Sequence, residues 1–383
     1  MSSSLLRTRP AATTDMLAVF DDASTLRHAL AFESALAQAQ AEAQLIDAQS
    51  ARAIAAACDA LMLDIPAFAE SVALAGTLAI PLLKALRAQL TGPAARDLHR
   101  GATSQDLADT VLMLQMKQAG ILLGADHARL VAALTLSARR FAALPAVGRT
   151  LLQDARPTGF GLRIAQWAVG IRDAARDIER TIAAHANLQL GGAAGTRADM
   201  HGRGTAVAAG VAERLQLNSS PPWHARRGGI AAMAASLGIG IGALGKMARD
   251  ISLLAQSRLG EALEPLIEGR GGSSAMPHKR NPTGCQVALA AATRAPGLVA
   301  TVLAGLPCEL ERGLGGWQAE GPVLAELCLL AAGSVRAMAD VAEGLVVMED
   351  AIARNLAESD MGDDIAESVQ LVADLLNPPG GAR

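Results

Sequence analysis

One segment of the chain concentrates groups that do chemistry: Gly271-Gly-Ser-Ser-Ala-Met-Pro-His-Lys-Arg-Asn-Pro282. Its glycines leave the backbone free to move, Ser273 and Ser274 offer adjacent hydroxyls, and Lys279, Arg280 and Asn281 supply a dense set of donors suited to a carboxylate. A solvated basic loop uses the same residue types, so the types alone leave both readings open. The interruption around it, from Gly269 to Pro282, is too long for a simple turn, and long irregular segments inside compact domains are often functional. Other candidates have plainer readings. His28, His127 and His185 fall on expected helices and read as surface or satisfied core residues. His201 sits in a Gly-rich connection without a nameable partner. Trp223, His224 and Trp317 fit a substrate wall or a packing anchor equally. Gly191-Gly192 resembles a phosphate cradle only superficially, because no strand precedes it.

The elements that must hold these groups are helical. Hydrophobic residues make up 51% of the 383 residues while aromatics reach only 2%, with no Tyr. The apolar mass is therefore mostly Ala, Leu, Val and Ile, which argues against an all-β fold and against disorder. Phe32, Leu36, Ala39 and Ala43 share one helical face. Met247, Ala248, Ile251, Leu254 and Ala255 form another such stripe, and residues 105–145 and 160–188 read the same way. Convincing strand alternation is absent, so long helices imply a bundle. Gly228 to Gly245 is uncharged and contains Gly238-xxx-Gly242, which imitates a membrane span. It is rich in Gly, Ala and Ser and runs into Lys246, Arg249 and Asp250 on the same period, so a helix buried on all sides within a bundle fits better. With 34 basic and 37 acidic residues the net charge is −3, giving no support for a polyanion binder. Cys58, Cys285, Cys308 and Cys328 form no CxxC pair and have no His at metal spacing, as expected of reduced thiols in a cytosolic protein. The N-terminal segment has no apolar core of the kind a secretory signal needs.

Three segments carry a family resemblance. Gly272 to Pro282 resembles the GSSxMPxKxN signature of the fumarase/aspartase superfamily. His99-Arg-Gly-Ala-Thr-Ser-Gln-Asp106 resembles its HxGATSxD segment, and Gly148-Arg-Thr-Leu-Leu-Gln-Asp-Ala-Arg-Pro-Thr-Gly-Phe-Gly161 its GRTxxQxAxPTTFG segment. Leu190–Gly195 and Gly245–Ile251 agree as linking segments, and the resemblance runs from residue 75 or so to residue 325. Within the superfamily, adenylosuccinate lyases, argininosuccinate lyases and carboxymuconate cycloisomerases compete. Pro222-Trp-His-Ala-Arg-Arg227 resembles the PWHxxR segment of the cycloisomerases, and Glu311-Arg312 with Gly315-Gly-Trp-Gln-Ala-Glu320 their ERxxGGWQAE segment. Thr150-Leu-Leu-Gln153 lacks the His that amine-releasing lyases place after this Thr. Release of an amine benefits from a general acid there. A carboxylate, whose conjugate acid has a pKa of roughly 4, departs without one. Asp154 stands where some bacterial cycloisomerases carry His.

The resemblance implies an all-α fold in three parts: a helical N-terminal domain over 1–108, a central long-helix bundle over 109–345, and a shortened helical remnant over 346–383. It implies that the long central helices of four subunits form one tetrameric core, with each site built from several chains. With so little chain after Leu345, the cap over the site is expected to be reduced or absent. The implied substrate is a small polycarboxylate in a cytoplasmic homotetramer, with neither nucleic acid nor membrane as partner and no metal or organic cofactor. Ser273 would move the proton at carbon, with its pKa lowered by Lys279, Arg280 and loop N–H groups. Lys279 and Asn281 would bind one substrate carboxylate, Thr103, Ser104 and Ser274 another, and Gln153 and His99 would add hydrogen bonds. The implied activity is reversible lactonisation. Elimination of the adenylosuccinate type and a non-catalytic paralogue on the same fold are the alternatives.

Overall fold

The structure is a computed structural model that describes residues 5–272, 276 and 279–377. Ser273, Ser274 and His278 lie outside the described residues. Several helices near the N-terminus start where the sequence supplies acceptors for free N–H groups. Asp21, Asp47 and Asp64 cap the helices Asp22–Glu42, Ala48–Ala60 and Ile65–Ala75, accepting from the N–H groups of Ser24, Ser50 and Ala67 at 2.7, 2.8 and 3.1 Å.

Five long helices make the body of the molecule: Ser104–Arg140, Phe160–His185, Gly228–Leu254, Thr283–Ala304 and Gly316–Glu343. They pack on one another, with Phe160–His185 and Gly316–Glu343 both lying against Ser104–Arg140. Gly161 permits the first of these contacts, since a Cβ there would fall 2.3 Å from the Ala138 carbonyl. The core is built from Ala, Leu, Ile, Val and Met, as the composition implies. At the N-terminal side, Asp22–Glu42 pairs with Ala48–Ala60, and the helix Gly204–Leu215 packs across it. The Ser104–Arg140 helix runs without a break through residue 108.

Two features depart from the sequence reading. First, Pro145–Thr150 and Gln153–Gly159 are antiparallel strands of a β-hairpin, with Thr150 paired to Gln153 and a bulge between Gly148 and Arg149. The rest of the described chain is helical or irregular apart from a two-residue pairing of Ala262–Leu263 with Val346–Val347 and a single bridge between Asn187 and Asn218. Second, Gly228–Leu254 is not buried on all sides within one chain. Ile230, Met233, Leu237, Ile241 and Leu244 face the core, whereas Gly242 is exposed and Ile239 is 61% exposed. Four of the long helices are long and apolar enough to cross a membrane by length and composition; here they pack against each other. The helices Glu349–Ser359 and Ala366–Leu376 fold back beside the hairpin and the Phe160–His185 helix. All four cysteines are free, three of them buried.

Candidate active site

The first motif segment leads into the Ser104–Arg140 helix, with Thr103 as its N-cap residue. His99 is held in the left-handed region at φ +63°, where a non-glycine side chain is uncommon. Its Nδ1–H donates to Glu33 Oε1 at 2.7 Å, and the Glu33 side chain is fully buried. Burial opposes a charge on this imidazole. The Glu33 carboxylate and its hydrogen bond outweigh that cost and hold the His99 pKa above its ordinary range.

Asp106 organises everything around it. This buried carboxylate accepts from the Thr103 N–H at 3.0 Å, the Gly191 and Gly192 N–H groups at 2.9 Å each, and His224 Nε2 at 2.7 Å. The glycine pair is thus an anion cradle whose anion is a side chain of the same molecule. Gly192 has φ +74°, and a Cβ on Gly191 would lie 2.6 Å from the His224 ring. Trp223 and His224 are both buried. Trp223 donates its indole N–H to the Leu188 carbonyl at 3.1 Å, so it is a packing anchor.

One helical turn further along, Asp109 meets Arg227. The guanidinium makes two parallel bonds to Asp109 at 2.8 and 2.9 Å, grips Glu320 through Nε and Nη2, and lies 4.7 Å from the Trp223 ring. All three charged side chains are buried. Burial works against the Arg227 charge, but the two carboxylates hold its pKa above the usual value. Burial raises the Glu320 pKa despite the guanidinium. Arg312 Nη2 donates to the Ala193 carbonyl at 2.7 Å, tying Glu311–Glu320 to the same cradle.

The other candidate groups sit elsewhere. Gln153 opens the second hairpin strand and is exposed. At the hairpin tip, Leu151 and Leu152 have φ +52° and +63° and are 93% and 78% exposed. Asp154 pairs with Arg149 at 3.0 Å. Arg149 in turn donates to buried Glu261 at 2.7 and 3.1 Å, and Asn355 donates to Glu261 at 2.8 Å. Lys279 is exposed, and Asn281 Nδ2 donates to the Gly272 carbonyl at 3.2 Å. Asn281, Gly272, Arg249, Arg270 and Thr283 line an open cleft of about 900 Å³.

Helix lengths separate these groups. His99 and Thr103 precede the 37-residue Ser104–Arg140 helix and the hairpin follows it, so at 1.5 Å per residue they lie about 55 Å apart along its axis. His224 precedes Gly228–Leu254 and Arg249 lies near its end, a span of roughly 30 Å. Thus His99, Thr103 and Ser104 gather at one end of the bundle. Gln153, Lys279 and Asn281 gather at the other.

The chain matches the family described as lyase over residues 9–297. It belongs to the fumarase/aspartase superfamily. Among relatives of this lyase family, the chain is 44% identical over 363 residues to a 3-carboxy-cis,cis-muconate cycloisomerase of Pseudomonas aeruginosa, covering 93% of this chain and 78% of the relative. It is 37% identical to a nitrosuccinate lyase of Streptomyces davaonensis, covering 90% and 75%. The solved structure of the 3-carboxy-cis,cis-muconate lactonizing enzyme from Pseudomonas putida superposes with a TM-score of 0.85 at 39% identity, covering 93% of this chain and 80% of that one. The all-α expectation holds for this superfamily member, with the hairpin as its local exception. Asp106, Asp109 and Glu33 were missed as organisers. Asp106 was visible inside the first motif, but its partners are backbone N–H groups with no sequence signature.

Proposed function

We propose that this chain is a 3-carboxy-cis,cis-muconate cycloisomerase, interconverting 3-carboxy-cis,cis-muconate and 4-carboxymuconolactone. The observation that carries the reading is the Arg227–Glu320 pair. It joins the two segments that resemble cycloisomerases, PWHxxR and ERxxGGWQAE, through one buried contact beside the Asp106 cradle. Leu151, where amine-releasing relatives place an acid, supports the same choice.

In the lactonising direction a substrate carboxylate attacks the activated double bond, and charge builds on a neighbouring carboxylate. Donors already aimed at that group stabilise it with little reorganisation. In this reading Lys279 and Asn281 bind one carboxylate, Thr103, Ser104 and Ser274 another, and His99 and Gln153 add hydrogen bonds. Ser273 carries the proton at carbon. The leaving group in the reverse direction is a carboxylate, which needs no proton donor.

Groups separated by the lengths of two helices cannot meet around one small molecule within one chain, so the reading includes a homotetramer with shared sites, and a cytoplasmic location for its reduced thiols. Ile121, Leu136, Ile239 and Leu303 stand exposed on the long helices and supply apolar surface for such an assembly. The deciding experiment assays the purified protein with carboxymuconate and with adenylosuccinate. Turnover of carboxymuconate is expected; turnover of adenylosuccinate alone would overturn the assignment.

A further inference from the structure

We propose that Glu33, on the Asp22–Glu42 helix and 66 residues from His99 in sequence, is a positioning residue for the reaction: it grips His99 through Nδ1 and leaves Nε2 to donate to a substrate carboxylate. The inference rests on the functional reading above, in which His99 faces the substrate, and deepens it by adding a residue that no motif contains.

The geometry leaves Glu33 little else to do. Its side chain is fully buried, Oε1 lies 2.7 Å from His99, and Oε2 has no hydrogen-bond partner. An isolated buried carboxylate is costly, so a single short contact to imidazole is stable when the ring carries the balancing charge. The same contact fixes the tautomer and the ring plane. Phe32 sets the ring from the side, edge-on with centroids 6.5 Å apart. Among the described residues nothing bonds His99 Nε2, and the left-handed backbone at this residue marks an orientation that the surroundings impose.

The charged groups facing the pair favour the cation. Asp106, from the Ser104–Arg140 helix, adds negative potential at the ring, and Arg87, from Ala79–Ala88, opposes it. Cys58, from Ala48–Ala60, faces Glu33 as a neutral thiol, since burial and the Glu33 charge push its pKa up to about 12. Loss of the ring proton therefore comes at higher pH than for a free imidazole. Binding of the substrate carboxylate is present below that pH and is lost as pH rises through it.

The test uses the full chain. Deuterium exchange at the His99 ring carbon, read by mass spectrometry across pH, gives its titration midpoint without reference to activity. In the parent that midpoint should lie above the ordinary value of about 6.5, and in Glu33→Gln it should fall. With carboxymuconate as substrate, Glu33→Gln should move the alkaline limb of kcat/KM to lower pH and reduce kcat/KM near neutrality roughly ten- to a hundredfold, the span of one charge-assisted hydrogen bond. The loss should appear mainly as raised KM, whereas a merely structural defect would lower the active fraction and kcat with KM unchanged. Glu33→Asp should recover much of the midpoint. Equal midpoints in parent and Glu33→Gln overturn the proposal. So does a Glu33→Gln penalty that is as large in a His99→Gln background as in the parent. Should the parent fail to turn over carboxymuconate, the functional reading falls, while the exchange midpoints still decide the Glu33–His99 pairing.

Discussion

Replacing Asp106 by Asn tests whether one carboxylate holds the first motif, the glycine cradle and the His224 loop together. The native side chain accepts four bonds, two on each oxygen: Gly191 N–H and His224 on Oδ1, Gly192 N–H and Thr103 N–H on Oδ2. Asparagine offers one acceptor oxygen, and its amide NH2 confronts either the Gly192 and Thr103 N–H groups or the Gly191 N–H beside a His224 that must switch tautomer to accept. A buried donor without an acceptor costs about 1–3 kcal/mol, so with one or two of them the variant should lose about 1–6 kcal/mol of a total near 5–15 kcal/mol. Urea denaturation at fixed protomer concentration reads this as a lowered midpoint. Thr103 and Ser104 lose their anchor at the same time, so KM for carboxymuconate should rise by about tenfold or more, each decade being 1.4 kcal/mol. A variant within about 1 kcal/mol of the parent with unchanged KM would refute the view that Asp106 organises the site.

Arg227→Met leaves Asp109 and Glu320 buried without their cation and should cost about 3–5 kcal/mol at neutral pH. Burial already raises the Glu320 pKa, and losing the guanidinium removes what opposes that rise, so the penalty should shrink as pH falls toward 5 and Glu320 takes up a proton; urea midpoints at pH 5 and pH 8 check the sign. Gly191→Ala places a Cβ 2.6 Å from the His224 ring and 2.8 Å from Pro222 Cβ, and should lower stability by about 1–3 kcal/mol in thermal melts. Leu151→His should lower the melting temperature of the assembled protein while leaving a dissociated chain close to the parent, since the side chain is 93% exposed in one chain. It should not accelerate lactonisation; a large gain in kcat with a new limb near pH 6.5 or so would show that the reaction wants an acid there after all.

The long helices were legible because a 3.6-residue apolar period survives in an Ala- and Leu-rich chain, and the stripe Met247, Ala248, Ile251 and Leu254 is buried as its spacing requires. The hairpin was not, because its strands bury little and their alternation is weak: Arg149, Thr150, Gln153 and Asp154 carry no apolar face. A tight two-residue turn with both φ values positive usually announces itself with Asn or Gly, and here it is made by two leucines. The cradle was misread for a related reason. Gly191-Gly192 does bind an anion through its N–H groups, but the anion is Asp106, 85 residues away, and no local pattern predicts that pairing. Glu33 lies beside Phe32 on an amphipathic helix, next to the apolar face, where a charged residue reads as solvent-facing until the fold buries it.

The hairpin tip also shows why the motif residues are distributed as they are. Left-handed backbone costs a residue with a Cβ about 1–2 kcal/mol, and Leu151 and Leu152 both adopt it while burying almost nothing in their own chain. The strain is held from behind, by Arg149 on Glu261 and Asn355 on the same carboxylate. Such a rigid, strained and apolar tip gains nothing for an isolated chain, in keeping with the rule that stored strain clusters at functional sites. Its energetic return comes when the leucines leave water against another surface, where each is worth roughly 1.5–3 kcal/mol on full burial. That return exceeds the backbone cost only if the tip docks, and the groups that complete the proposed site stand at the far end of the same helix. In the proposed assembly, therefore, docking the tip would relieve its exposure and bring Gln153 to another chain's His99 and Thr103 in one step, which couples subunit association to completion of the site.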